Sequence, residues 1–193
     1  MLIQAFHLID LLRLYVDEYL PVQVMESMCQ PTLQSQGSDE QWASWGPMIS
    51  TGRWTGCYAQ TELAHGSNLS RLRTSATLDL QTDQWIIHTP EPSAGKAWIG
   101  GAGVTATHGI VMAQMKIGDK ELGLHAFWVP FRSTETHQTL KGIQIADMGP
   151  KLFGSGAAAM DNGYICFDHV RIPRTNLLAR FQEVDRQGHY RVK

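Results

Sequence analysis

Two stretches of this sequence combine residue types that could hold a ligand. The first is Cys57-Tyr58-Ala59-Gln60-Thr61-Glu62-Leu63-Ala64-His65-Gly66-Ser67-Asn68. It runs from strand-like residues into small and hydroxylic ones, which offer backbone N–H groups and hydroxyls to a group that approaches closely. An ordinary turn at a strand end would look the same. The second is Lys96-Ala97-Trp98-Ile99-Gly100-Gly101-Ala102-Gly103. Its glycines let the backbone come within contact of a flat ligand, with an indole beside it. It reads equally as a glycine-rich β-bulge, and it lacks the spacing and βαβ setting of a dinucleotide-binding fingerprint. Two further stretches attract less chemistry. Asp147 to Gly156 could be a flexible connection, and Phe167-Asp168-His169-Val170-Arg171-Ile172-Pro173 reads as a structural junction that stops at proline.

Other chemistries find little support. The eight histidines form neither HxH nor HExxH, so no metal ligand set is expected. A Ser-His-Asp hydrolase lacks its G-x-S-x-G elbow. Cys29, Cys57 and Cys166 are odd in number and widely spaced, which argues against a disulfide framework and for a reducing compartment. The formal charge of -2, from 16 basic and 18 acidic residues, gives no electrostatic case for nucleic acid or an anionic membrane. An anionic small molecule stays open, because a local site needs only a few donors.

The elements that must position these stretches divide the chain in two. Residues 2–20 place Leu2, Ile3, Phe6, Ile9, Leu12, Val16, Tyr19 and Leu20 at helical spacing. Asp10, Arg13, Asp17 and Glu18 interrupt that run, so the expectation is a soluble helix and neither a leader nor a membrane span. A second helix is expected over 22–30, halted before Pro31, and a third starting at Ser38 or Asp39. After Gly46-Pro47 strands take over: Thr55 to Gln60, Ser75 to Asp79, Trp85 to His88, Gly109 to Lys116, Leu122 to Pro130, Ile143 to Ala146 and Gly163 to Val170. Turns are expected at Gln81-Thr82-Asp83, Gly118-Asp119-Lys120 and Gly154-Ser155-Gly156. Thr77 to Ile87 reads as a hairpin. Pro173 to Phe181 could begin another helix. The fold class expected is α+β: a helical N-terminal segment followed by a mainly antiparallel β-barrel or sandwich.

Taken together, several motifs resemble the acyl-CoA oxidases of the acyl-CoA dehydrogenase superfamily. Tyr58-Ala59-Gln60-Thr61-Glu62-Leu63-Ala64-His65-Gly66-Ser67 is similar to that family's flavin-loop signature. Leu124 to Pro130, Gly142-Ile143, Gly149-Pro150-Lys151, Asp161 to Tyr164 and Arg171 to Leu178 follow in the family's order. The resemblance covers roughly residues 30–185. It implies a partial N-terminal helical domain over 1–46, a middle β-domain facing FAD and acyl-CoA over 47–175, and the start of a C-terminal helical region over 176–193.

The resemblance also implies an activity. The family oxidises the Cα–Cβ bond of a fatty acyl-CoA to a trans-2-enoyl-CoA with FAD and passes the electrons to O₂, giving hydrogen peroxide. It implies a peroxisomal location and a homodimer of the full-length protein. By the same resemblance, Thr61 and Gly100 contact the flavin, with Gln60, Glu62, Trp98 and Gly101 beside them as cofactor-binding residues. Gly66 and Ser67 lie near the flavin phosphates and the acyl-CoA path. The sequence departs from the pattern at Ala64, where glycine is usual, and at Ala97 and Ile99, where tryptophan and proline are usual. The family's catalytic base, a glutamate of the C-terminal helical domain, has no counterpart in these residues, so the chain is expected to be a fragment that is inactive alone and exposes aromatic surface near Trp98. Two alternatives remain: an acyl-CoA dehydrogenase that reduces an electron-transfer flavoprotein, and a β-domain that serves as a binding module without FAD.

Overall fold

The computed structural model describes residues 15, 20–151 and 158–193. The helix expected over 2–20 falls outside that set but for Tyr15 and Leu20, as does the Gly154-Ser155-Gly156 turn. No helix among the described residues is long and apolar enough to cross a membrane.

The chain enters through a helix with three successive parts, Pro21–Val24, a π-helical turn Met25–Cys29, and Gln30–Gln36, here α1. The sequence suggests a stop before Pro31, yet the helix continues through it. Proline lacks an N–H, but it sits at the start of the segment that follows the wide turn, where the hydrogen-bond register changes and no donor is missed. Helix α2, Asp39–Ser50, starts where the sequence predicts. Ser38 Oγ accepts from the Gln41 amide at 3.2 Å and Gln41 Oε1 accepts from the Ser38 amide at 2.9 Å, a reciprocal cap. α2 passes through Pro47 and ends three residues later than the change of texture suggests.

Among the described residues eleven strands follow: β1 Gly56–Ala59, β2 Ser75–Asp79, β3 Gln84–His88, β4 Lys96–Gly100, β5 His108–Ile117, β6 Lys120–Pro130, β7 Ile143–Gly149, β8 Asn162–Phe167, β9 Val170–Pro173, β10 Gln182–Val184 and β11 Tyr190–Val192. β5 is the axis of the larger sheet. One edge of it carries β1 along its first half and β2 along its second, both parallel, while β6 pairs antiparallel along the other edge. β3 and β9 extend the sheet beyond β2. A second, antiparallel sheet has the order β4-β8-β7. The architecture is thus a short helical entry followed by curled sheets of mixed and antiparallel pairing, the α+β class the sequence suggests.

Alternation along β5 assigns its two faces. Val111, Ala113 and Met115 point into a core shared by both sheets, with Trp85, Ile87, Phe127, Ile165 and Phe167. Ile110 points the other way, with Trp128 from β6, and meets Met25, Cys29, Leu33 and Ile49 of the helices. The first half of the central strand, His108 to Val111, is therefore buried on both sides, while its second half alternates, with Gln114 and Lys116 on the more open face.

Three readings are corrected. The run Gly163 to Val170 is two strands, β8 and β9, separated by Asp168-His169, where His169 takes φ +51°. The expected strands leave out 96–100, which forms β4; the β-bulge reading of that stretch holds, with the register shift between Lys96 and Ile99. From Pro173 onward the chain makes a single 3₁₀ turn, Arg174–Asn176, and then the β10–β11 hairpin, with no helix. The amides and carbonyls there are engaged by the rest of the molecule: Gln41 Nε2 donates to the Thr175 and Leu177 carbonyls at 2.7 Å each, and the Leu178 amide donates to Ala126 at 3.0 Å. Those bonds hold the segment extended.

Candidate functional site

The two ligand-competent stretches lie side by side. Leaving β1 at Ala59, the chain runs antiparallel to β4, with Glu62 opposite Lys96. The Ala97 amide donates to the Thr61 carbonyl at 3.0 Å, and the Leu63 amide to the Gly95 carbonyl at 2.9 Å. Glu62 and His65 close a tight loop, amide to carbonyl in both directions, at 3.0 and 3.2 Å.

Beneath this pairing sits an ion pair with no solvent exposure on either side chain. Lys96 Nζ donates to Glu62 Oε1 at 3.1 Å, to the Gln60 carbonyl at 3.0 Å and to the Met112 carbonyl of β5 at 2.7 Å. The Glu62 carboxylate also accepts from the Thr74 and Arg73 amides at 2.8 and 2.7 Å. Burial by itself pushes the Glu62 carboxyl up, but the Lys96 ammonium and the two amides outweigh it and hold the group below the usual carboxylate range. Burial pulls Lys96 down to about 8, against the opposing pull of Glu62.

Trp98 stands at the bulge of β4 with φ +59°, a conformation that a bulky residue adopts only under the control of its surroundings. The twist turns its ring outward, 41 % exposed, with Lys151 Nζ 5.8 Å from the ring centroid. Leu63 and Val104 are also exposed. Gly100 lies against Met160 and Val24; a Cβ there would be 3.1 Å from each. Gly101 takes φ +80° and begins the turn after β4.

That turn is held from below. The buried Arg132 donates to the Ala106 carbonyl at 2.6 Å and to the Ala102 and Gly103 carbonyls at 2.9 and 2.8 Å. From the other side, Asp161 Oδ2 accepts from the Val104 and Thr105 amides at 2.7 Å each. Gly163 admits the close approach, since a Cβ there would lie 2.8 Å from Ala102 Cβ.

The sequence-predicted residues therefore separate by role. Thr61 is half-buried, and no hydrogen bond among the described residues engages its hydroxyl. Gly66 adjoins it; a Cβ there would be 3.8 Å from Thr61 Cγ2. Ser67 is exposed on the same loop. Gln60 keeps its side chain beside Tyr58, whose hydroxyl donates to Gln60 Oε1 at 3.1 Å. The side chain of Glu62 points inward and is saturated, which leaves only its backbone near any ligand. The outward indole of Trp98 and the Thr61 hydroxyl thus stand on adjoining, backbone-paired segments.

Sequence reasoning missed the roles of Lys96, Arg132 and Asp161. A buried lysine at the start of a strand carries no local signal, and each of the three acts on backbone far away in sequence. It also missed the approach of His88 to Asp168 and His169, whose potential ligand atoms lie within 4.8 Å of one another. The two imidazoles stack face to face, 4.0 Å between centroids, whereas ligation needs in-plane lone pairs to converge on one point. The thiols of Cys29 and Cys57 are inert hydrophobes; burial pushes Cys29 up to about 12 and holds Cys57 well above the ordinary thiol range.

Comparison with known proteins bears on the whole chain. Residues 3–54 match the family model described as acyl-coenzyme A oxidase N-terminal. Peroxisomal acyl-coenzyme A oxidase 1 of Arabidopsis thaliana is 42 % identical over 179 residues, which is 93 % of this chain and 27 % of that protein. Peroxisomal acyl-coenzyme A oxidase 2 of Oryctolagus cuniculus is 46 % identical over 82 % of this chain and 23 % of its own length. Among solved structures, Arabidopsis thaliana acyl-CoA oxidase 1 superposes with a TM-score of 0.90 at 44 % identity, covering 94 % of this chain and 28 % of that one. Acyl-CoA oxidase-1 of Caenorhabditis elegans, complexed with FAD and ATP, gives 0.87 at 41 % identity, over 92 % and 26 %. The chain thus spans about a quarter of the length of the relatives it matches.

Proposed function

This chain belongs to the acyl-CoA oxidase family, and from that premise we propose that loops 60–67 and 96–101 form one wall of an FAD site. The observation that carries the reading is the outward, left-handed Trp98 on its β-bulge, paired through backbone with the loop that presents the Thr61 hydroxyl. Thr61 and the backbone at Gly100 and Gly101 line the ring edge, Trp98 covers its flank, and Gly66 and Ser67 lie toward the phosphates and the acyl-CoA. Glu62 serves through its position and not through contact.

The flavin, when bound, supplies the acceptor for the hydride that leaves the β-carbon of a fatty acyl-CoA and returns the electrons to O₂ as hydrogen peroxide. The residues of this chain orient that ring and exclude water from one face. They contain no counterpart of the glutamate that takes the α-proton, so the 193 residues alone are expected to bind FAD weakly and to turn over substrate slowly or not at all. The setting proposed for the whole protein is peroxisomal fatty acid β-oxidation by a homodimer, in line with the names of its relatives.

The experiment is to purify the chain, add FAD, remove excess by gel filtration and record the flavin absorbance, then add acyl-CoA and assay peroxide. Retained yellow absorbance without peroxide is the expected result. A colourless protein at every FAD concentration would favour a binding module without cofactor, and robust peroxide formation would contradict the inactivity.

A further inference from the structure

We propose that Glu62 and Lys96 form a positioning clasp, which sets the separation and mutual orientation of the two ring-facing loops without touching the ring. The inference rests on the FAD reading for its functional consequence, and on geometry alone for the clasp itself.

Both partners are used up internally. All three ammonium protons of Lys96 have acceptors, and both carboxylate oxygens of Glu62 have donors. Neither side chain is exposed, so neither reaches a ligand. What they join is informative. Lys96 belongs to β4, two residues before Trp98. Glu62 follows Thr61 directly. Met112 lies on the central strand β5, and Arg73 and Thr74 lead into β2. Four separate segments meet at one charge pair, and the two that carry Thr61 and Trp98 are tied to the two that belong to the rigid larger sheet.

Backbone pairing alone leaves this region under-determined. Between Ala59 and β2 the chain has one isolated bridge and a 3₁₀ turn, Leu69–Arg71, instead of a continuous ladder. β4 loses its register with β8 at the bulge just where Trp98 turns out. A buried ion pair is seldom a better source of stability than well-packed apolar groups of similar volume, so its use here points to geometry as the quantity being secured. Hydrogen bonds with fixed directions on two loops and one strand specify an arrangement that apolar contact would leave free to slide.

The test separates positioning from stability. Removing one partner strands a buried charge, whereas the double variant Glu62→Met with Lys96→Met removes both charges and is expected to lie closer to the unfolding midpoint of the parent chain than either single variant, short of it by the cost of the Arg73 and Thr74 amides and the Gln60 and Met112 carbonyls that lose their partners. In that double variant the Ala97 and Leu63 amides should exchange with deuterium about 10-fold faster or more, the Trp98 indole resonance should move, and FAD should bind about 10-fold more weakly or worse. Glu62→Gln keeps the shape and most of the hydrogen bonds, and serves where the double variant fails to fold; a smaller change in the same direction is expected. Parent-like exchange at Ala97 and Leu63 with an unmoved Trp98 resonance, in either folded variant, would overturn the clasp. If the parent chain binds no FAD at all while exchange and resonance respond as stated, the flavin reading fails and the clasp stands.

Discussion

The two flanks of the central strands are held by opposite means. On the helical flank, Trp128 of β6 stacks on His108 of β5, 5.1 Å between centroids with an interplanar angle of 9°, and Trp45 and Trp54 close over them at 6.0 and 6.4 Å from Trp128. On the edge that carries Thr61 and Trp98, the contacts are polar and directional: the Glu62–Lys96 pair, the three carbonyls taken by Arg132, and the two amides taken by Asp161. Stacked rings tolerate small displacements, because dispersion and apolar burial have little directional preference. Hydrogen bonds to fixed carbonyls do not. The difference teaches where the molecule needs mere cohesion and where it needs defined geometry, and the second kind of flank is the one that faces the proposed ligand.

The comparison is broken most severely at the buried pair. Lys96→Met alone should lower unfolding stability by about 3–5 kcal/mol, since Glu62 is left charged and unpaired in the interior; urea denaturation checks it, and a loss below about 1 kcal/mol would show the pair to be dispensable. The aromatic flank gives the next effect through pH. Burial holds His108 down to about 4, against 6.5 for a free imidazole. Between those values the unfolded chain binds a proton that the folded chain refuses, so stability present above pH 6.5 is lost as pH falls toward 4, by up to about 3 kcal/mol. His108→Gln should flatten that part of the stability profile relative to the parent; an unchanged slope would show that other groups govern it. The smallest effect sharpens the contrast between buried and exposed charge. Lys116 and Glu121 pair at 2.7 Å on the surface, with Glu121 largely in solvent. Glu121→Gln should leave the unfolding midpoint where it was, because such pairs are weakened by water and salt.

Much of the scaffold was legible because its signals are local. β2 falls at Ser75–Asp79 as read, its hairpin with β3 turns at the expected polar residues, and Ser38 caps α2 with Gln41 in reply. The misreadings share a cause of another kind. The break at Asp168-His169 depends on a left-handed His169, which alternation of residue types does not report. The passage of α1 through Pro31 depends on a wide turn just before it, and the extended course after Pro173 depends on Gln41, more than 130 residues earlier in the chain. At the candidate site the two loops were legible as unusual, but the partner that orients them was not. Glu62 and Lys96 are 34 residues apart, and nothing in either neighbourhood announces a buried charge pair.

The central claim is that the Thr61 and Trp98 loops together receive a flavin edge. Its most direct test is an amide and indole NMR titration of the ¹⁵N-labelled chain with FAD, in which the six tryptophans supply built-in reporters on both flanks. The account predicts shifts at Thr61, Gly66, Gly100, Gly101 and both Trp98 signals, while the Trp45 and Trp54 indoles stay still. Shifts confined to the aromatic flank, or a spectrum unmoved at saturating FAD, would contradict it.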